Sequence, residues 1–231
     1  MYDELARTHG KLLGGEKTPD YVRHLPLLHG LFPWAKMVHI IRDGRDVALS
    51  TLEWARKDKG PGKFKLWQEE PVAVCALWWR WQLITGRIAG AALGPNLYHE
   101  IKYEDLVAQP EEALRKLADF LALPFAREML EYHVGKFLDQ PGLDAKKAWA
   151  PPTPGLRNWR SSMSARDVEL FEAIAGDLVG ALGYERDADA ISPEIAGIAK
   201  RCSDWWEPKM HQGAKSEPSD ISDALSPPDG A

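Results

Sequence analysis

An almost continuous apolar run, Met37-Val38-His39-Ile40-Ile41, stops at Arg42-Asp43-Gly44. A short run of this kind, ended by turn residues, predicts a strand buried on both faces of a parallel sheet. The next stretch, from Arg45 to Ala55, has no breaker and places Val47, Leu49, Ser50 and Trp54 at helical spacings, so a helix is expected just after Gly44. From about Lys65 to Leu93, Trp78, Trp79, Trp81, Ile84 and Ile88 predict a long helix buried on more than one side, with Pro71 tolerable only near its start. Leu97 to Ile101 reads as a second strand. Beyond Pro110, Leu114, Leu117 and Leu121 mark another helix, which ends before Pro124. A last helix is expected from Ser164, with Asp167 as a variant capping box, through Val168, Phe171, Ala175, Leu178 and Leu182 to Gly183. Short strands alternating with long helices predict an α/β layered fold around a mostly parallel sheet.

Composition narrows the picture. The 231 residues are 45% hydrophobic, enough for one domain with a proper core, expected over residues 1–206. From about residue 207 Pro, Ser, Gly and Asp dominate, so 207–231 is expected to be a disordered tail. Twenty-nine basic against 34 acidic residues give a formal charge of −5, which argues against nonspecific nucleic-acid binding and requires any bound anion to meet a local cluster. Cys75 and Cys202 are too few for a disulfide framework or an ordinary zinc site, and point to a reducing compartment. No apolar run approaches the roughly 18 residues that span a bilayer. The opening MYDELARTHG lacks the pattern of an export signal, so the cytoplasm is the expected location.

The candidate chemistry sits at the end of the first strand. Arg42 stands where an open α/β sheet presents its ligand groups, beyond the carboxyl ends of the strands. The following helix adds free backbone N–H groups and its positive dipole end, with Ser50 about two turns along, so a phosphate held by Arg42 could also meet that hydroxyl. A second reading is open for this segment alone: Arg42, Asp43, Arg45 and Asp46 forming solvated ion pairs around a turn. His24, His29, His39 and His99 show no ligand spacing, and no metal is implied. The tryptophans of the long helix read first as core.

Three segments in order add a resemblance. They are Gly14-Gly15-Glu16-Lys17-Thr18-Pro19, the Met37 strand running into Arg42-Asp43-Gly44-Arg45-Asp46-Val47-Ala48-Leu49-Ser50, and Tyr103-Glu104-Asp105-Leu106 before Pro110 and its helix. Together with Asn158-Trp159-Arg160 and the closing Ala181-Leu182-Gly183-Tyr184-Glu185, the set resembles the sulfotransferase family from about Gly14 to Tyr184, in the style of bacterial and Golgi-type members. The resemblance implies a phosphate-loop-type three-layer α/β/α fold. It implies 3′-phosphoadenosine-5′-phosphosulfate as donor, adenosine 3′,5′-bisphosphate as product, and transfer of a sulfonate to a hydroxyl or amine by in-line displacement. By the same resemblance Arg42 and Ser50 bind the 3′-phosphate, Tyr103 lies near the adenine, and Lys17 stabilises charge on the leaving phosphate oxygen. Pro19 stands where cytosolic relatives carry a histidine base, which makes Glu16 the candidate base. Arg157, in a loose match to the family's late loop, is a further cofactor candidate.

One departure shapes the expectation. The family's first strand and glycine-containing phosphosulfate loop have no counterpart ahead of Lys17, and Gly60-Pro61-Gly62-Lys63 follows a helix, not a strand. The chain is therefore expected to be incomplete at its front, with an unpaired strand edge that favours a homo-oligomer. A non-catalytic protein that binds adenosine bisphosphate or a protein partner is the competing reading. A small-molecule kinase would need a phosphate-loop lysine and a magnesium carboxylate that are not identifiable. The acceptor stays open among small molecules, glycans, lipids, phenols and peptides.

Overall fold

Parallel pairing of the two apolar segments organises the molecule. The computed structural model describes residues 2–11, 13–54, 60–131, 157–188 and 190–214. Its elements are α1 (Tyr2–Thr8), α2 (Leu25–Leu31), β1 (Met37–Ile41), α3 (Gly44–Trp54), α4 (Pro71–Leu93), β2 (Tyr98–Lys102), α5 (Tyr103–Ala108), α6 (Pro110–Leu121), α7 (Trp159–Ser162), α8 (Ala165–Ala181) and α9 (Pro193–Ala214). Short 3-10 turns occupy Pro19–Arg23, Gly60–Lys63, Lys65–Gln68 and Arg127–Met129. Strand β1 runs parallel to β2, from Met37 opposite Tyr98 to Ile41 opposite Lys102.

Helices cover both faces of this pair. Helix α4 lies on the face that carries His39 and Tyr98, and its glycines permit the approach: a Cβ on Gly90 would sit 2.3 Å from the Tyr98 ring. On the opposite face α6 lays Phe120 over His99, ring centroids 5.0 Å apart. The architecture is thus α/β with helix, sheet and helix layers. The expectation that β1 is buried on both faces is corrected: Val38 is 38% and Ile40 54% exposed, and Ile41 alone is fully buried. Helix α6 covers β2, and among the described residues β1 pairs with no other strand.

The main core lies between α4, α8 and α9, with Val74, Leu170, Phe171, Val179 and Cys202 fully enclosed. Helix α4 begins at Pro71, later than the Lys65 expected, because a residue without an N–H is tolerated in the first helical turn; Lys65–Gln68 is a separate turn. Ser164 caps α8 by accepting the Asp167 N–H at 3.1 Å, and Gly183 ends it at φ +76°. Helix α9 was not foreseen. It is held by Trp206, which packs 4.9 Å from Phe64 and 6.2 Å from Trp78. From that anchor it continues to Ala214 through Pro208, so residues 207–214 are helical, not tail; the rest of the expected tail, 215–231, lies outside the described residues. Cys75 and Cys202 are unpaired and buried, and burial pushes the Cys75 thiol up to about 12. No helix among the described residues is long and apolar enough to cross a membrane.

Candidate functional site

The junction between β1 and α3 is built from two arginines with opposite surroundings. Gly44 opens α3 because nothing larger fits: a Cβ there would lie 2.5 Å from the Trp79 ring and 2.6 Å from Phe171. That close approach buries Arg45, 1% exposed. Its Nε donates to Asp43 Oδ1 at 3.0 Å, and its Nη2 to Asp43 Oδ2 at 2.7 Å and to the Glu185 carbonyl at 2.8 Å. Its Nη1 reaches Glu172 Oε1 at 2.5 Å, and the Trp159 ring covers the guanidinium at 3.7 Å. Glu172 also accepts the backbone N–H groups of Asp187 and Ala188. Glu104 closes the lower side, accepting the Asp43 N–H at 3.0 Å and the Tyr184 hydroxyl at 2.8 Å. Burial first, and then this carboxylate, raise the Tyr184 pKa well above the ordinary tyrosine value.

Arg42, three residues earlier, is left open. Its Nη2 donates to Asp46 Oδ2 at 3.0 Å and its guanidinium lies 4.4 Å from the Tyr103 ring, while its Nε is buried with no hydrogen-bond partner. The Asp46 Oδ1 accepts the Trp159 N–H at 3.0 Å. Burial lifts the Asp46 pKa, opposed by the Trp159 N–H and then by Arg42. One turn further along α3, Ser50 is half-buried, and its hydroxyl makes no hydrogen bond among the described residues. At the next position on that face, Glu53 Oε2 accepts Arg157 Nη2 at 3.3 Å, and the Arg157 Nε is again buried without a partner. Buried donors of this kind are rare and call for an acceptor. Two guanidinium groups with unmet donors and a hydroxyl without a partner form a donor set suited to a phosphate; the expected free N–H groups at the start of α3 are partly used by the fold, the Arg45 N–H donating to Asp43 Oδ1 at 2.9 Å.

Four of the six residues singled out from the sequence therefore gather around α3: Arg42, Ser50, Tyr103 and Arg157. Glu16 and Lys17 do not join them. Both are exposed ahead of the Pro19–Arg23 turn, where Glu16 Oε1 accepts the Thr18 hydroxyl at 3.0 Å. No hydrogen bond or ion pair among the described residues connects either to the Arg42 cluster. The turn itself is docked on α4, with Arg23 4.6 Å above the Trp81 ring and Gln82 donating to Asp20 at 3.2 Å. Trp78 and Trp81 pack with Phe64 and Trp206 as core. Arg160 is a surface cation paired with Glu185 and Asp187.

The ion pairs of the alternative reading form, Arg42 with Asp46 and Arg45 with Asp43, the second of them buried rather than solvated, whereas Glu53 as the partner of Arg157 was not expected. Spacing offered a signal, since Arg42 and Asp46 are four apart, and Asp46, Ser50 and Glu53 share a helix face. Glu172, 127 residues from Arg45, offered none.

Comparison with known proteins adds the family. The model of the sulfotransferase family matches residues 1–127. Two nematode proteins that bear the name of a protein-tyrosine sulfotransferase align over most of the chain. The one from Caenorhabditis briggsae is 26% identical over 204 residues, 85% of this chain and 69% of that protein. The one from Caenorhabditis elegans is 27% identical over 191 residues, 79% of this chain and 69% of that protein. A solved sulfotransferase domain from the curacin biosynthetic pathway superposes with a TM-score of 0.47 at 28% identity, over 56% of this chain; the chain spans 45% of that domain.

Proposed function

This chain belongs to the sulfotransferase family, and from that premise we propose that it transfers a sulfonate from 3′-phosphoadenosine-5′-phosphosulfate to a hydroxyl acceptor. The observation that carries the reading is the buried, unpartnered Nε of Arg42 at the end of β1, repeated at Arg157 and set beside the free Ser50 hydroxyl. These three residues would hold the 3′-phosphate, and the Tyr103 ring beside Arg42 offers a flat face for the adenine. The donor, when bound, supplies the activated sulfonate. Lys17 carries the ammonium that would stabilise charge on the departing phosphate oxygen, and Glu16 the carboxylate that would take the acceptor's proton. Both are free to turn toward a substrate, being exposed.

A tyrosine hydroxyl in a peptide is the first acceptor to assay, because the nematode relatives bear that name. The unpaired, buried cysteines support a reducing compartment such as the cytoplasm. One observation favours a second reading, that of a nucleotide-binding protein without turnover: no polar contact among the described residues ties Glu16 or Lys17 to the Arg42 cluster. Calorimetric titration with adenosine 3′,5′-bisphosphate tests the common core of both. Micromolar binding by the wild type, weakened about ten- to a hundredfold in Arg42→Ala and less in Ser50→Ala, is the expected result. No binding by the folded wild-type chain would overturn both readings. Binding without sulfonate transfer to peptide, phenol or sugar acceptors would favour the second.

A further inference from the structure

Both arginines of the candidate site are tied at one end only, and each tie is a carboxylate on the same face of α3. Arg42 gives Nη2 to Asp46 at 3.0 Å, Arg157 gives Nη2 to Glu53 at 3.3 Å, and each leaves its Nε buried and unbonded. Asp46, Ser50 and Glu53 follow one another at spacings of four and three, so the carboxylates stand on either side of the Ser50 hydroxyl. Asp46 also accepts the Trp159 N–H at the start of α7, two residues beyond Arg157. It thereby fastens the segment that carries the second arginine to the helix that faces the first.

Placing two carboxylates beside an anion site is costly if charge is their only effect. Like charges repel across a few ångströms, so removing either would tighten the binding of a phosphate. A guanidinium held at one end, however, has less rotamer freedom to lose when its other edge meets a ligand, and its remaining N–H groups keep a fixed direction. We propose that Asp46 and Glu53 are positioning residues for nucleotide binding, fixing Arg42 and Arg157 so that their Nε edges stay available to one phosphate next to Ser50. This rests on the reading of Arg42, Ser50 and Arg157 as the 3′-phosphate ligands. Orientation outweighs repulsion at this site, which gives the two effects opposite signs in an experiment.

The test titrates the full chain and its Asp46→Asn and Glu53→Gln variants with adenosine 3′,5′-bisphosphate and, separately, with adenosine 5′-monophosphate, alongside thermal melts. Each substitution removes a charge at nearly constant shape. Asp46→Asn is expected to weaken the bisphosphate about tenfold, and Glu53→Gln about threefold since its contact is longer and more exposed; neither changes the affinity for the monophosphate, which has no 3′-phosphate to position. A purely structural defect would lower the melting temperature and weaken both nucleotides alike. Equal or tighter bisphosphate binding by the variants, or parallel weakening of both nucleotides, overturns the positioning role while leaving the proposed function standing. Failure of the wild type itself to bind the bisphosphate overturns the proposed function, and this role with it. Glu53 lies on the exposed side of the pair, so Glu53→Gln keeps the test valid if Asp46→Asn does not fold.

Discussion

Arg42 and Arg45 stand three residues apart at one strand-to-helix junction, each beside acidic side chains and an aromatic ring, yet they end in opposite states. Around Arg45 every guanidinium nitrogen has an acceptor: Asp43 and Glu172 supply charge, the Glu185 carbonyl takes another donor, and Trp159 seals the face. Around Arg42 one nitrogen is paired, the ring of Tyr103 covers the plane, and Nε waits in a buried position with no acceptor. The difference teaches what separates an arginine saturated by the fold from one that keeps a donor for a further acceptor. Residue type and neighbouring charge do not separate them; the depth of burial, 1% against 18% side-chain exposure, and the count of unmet donors do.

The sharpest way to break this comparison is to remove Arg45. Arg45→Ala leaves Glu172 and Asp43 buried with their main cation gone, and such a loss costs about 3–5 kcal/mol of unfolding free energy, read from urea denaturation. Arg42→Ala should cost much less stability, because Asp46 keeps its bond from the Trp159 N–H, and should instead show its effect in nucleotide titration. If the two variants lose similar stability, the distinction between a closed and an open arginine fails.

Glu104 offers a middle-sized test of the closed side. Glu104→Gln leaves a single oxygen to accept from both the Asp43 N–H and the Tyr184 hydroxyl, so about 1–2 kcal/mol should be lost, with Tyr184→Phe costing less. A neutral outcome would mean that the β1 end is held by packing alone.

The smallest effect expected is a pH dependence away from both arginines. His39 lies in a chain with Tyr98 at 2.6 Å, Glu100 and Arg87, and burial holds its pKa below the ordinary 6.5, with Glu100 opposing and Arg87 reinforcing the shift. The unfolded chain therefore binds this proton more readily than the folded one. Its contribution to stability is present above pH 6.5 and declines as the pH falls from there through the folded-state pKa. His39→Asn, whose amide can stand in for Nδ1, should flatten that part of the stability profile; an unchanged slope would show that His39 does not titrate there.

Much of this was legible in the chain. The strand ending at Arg42, the helix beginning at Gly44, the Ser164 cap and the Gly183 stop are written in local residue types, because hydrogen bonding and φ preference within a few residues decide them. Arg42, Ser50, Tyr103 and Arg157 were legible as a group only through the order of their segments. The exposure of Val38 and Ile40 was not, since an apolar run reports what could be buried and leaves open whether a helix covers it. Helix α9 escaped because its hold on the core is tertiary: Ile195, Ala199 and Cys202 are buried in the common core, and Trp206 meets Phe64 and Trp78 from more than a hundred residues away in the chain.

The sequence by itself determined the elements, their order and the kinds of charge available at the end of β1. Tertiary structure alone decided which arginine would be spent on the fold, because Glu172, Glu185 and Trp159 reach Arg45 only when α7 and α8 close over α3, and what that closure leaves unpaired is the donor edge of Arg42. Local propensity acts through a residue's neighbours in the chain, whereas saturation of a guanidinium depends on acceptors brought from afar.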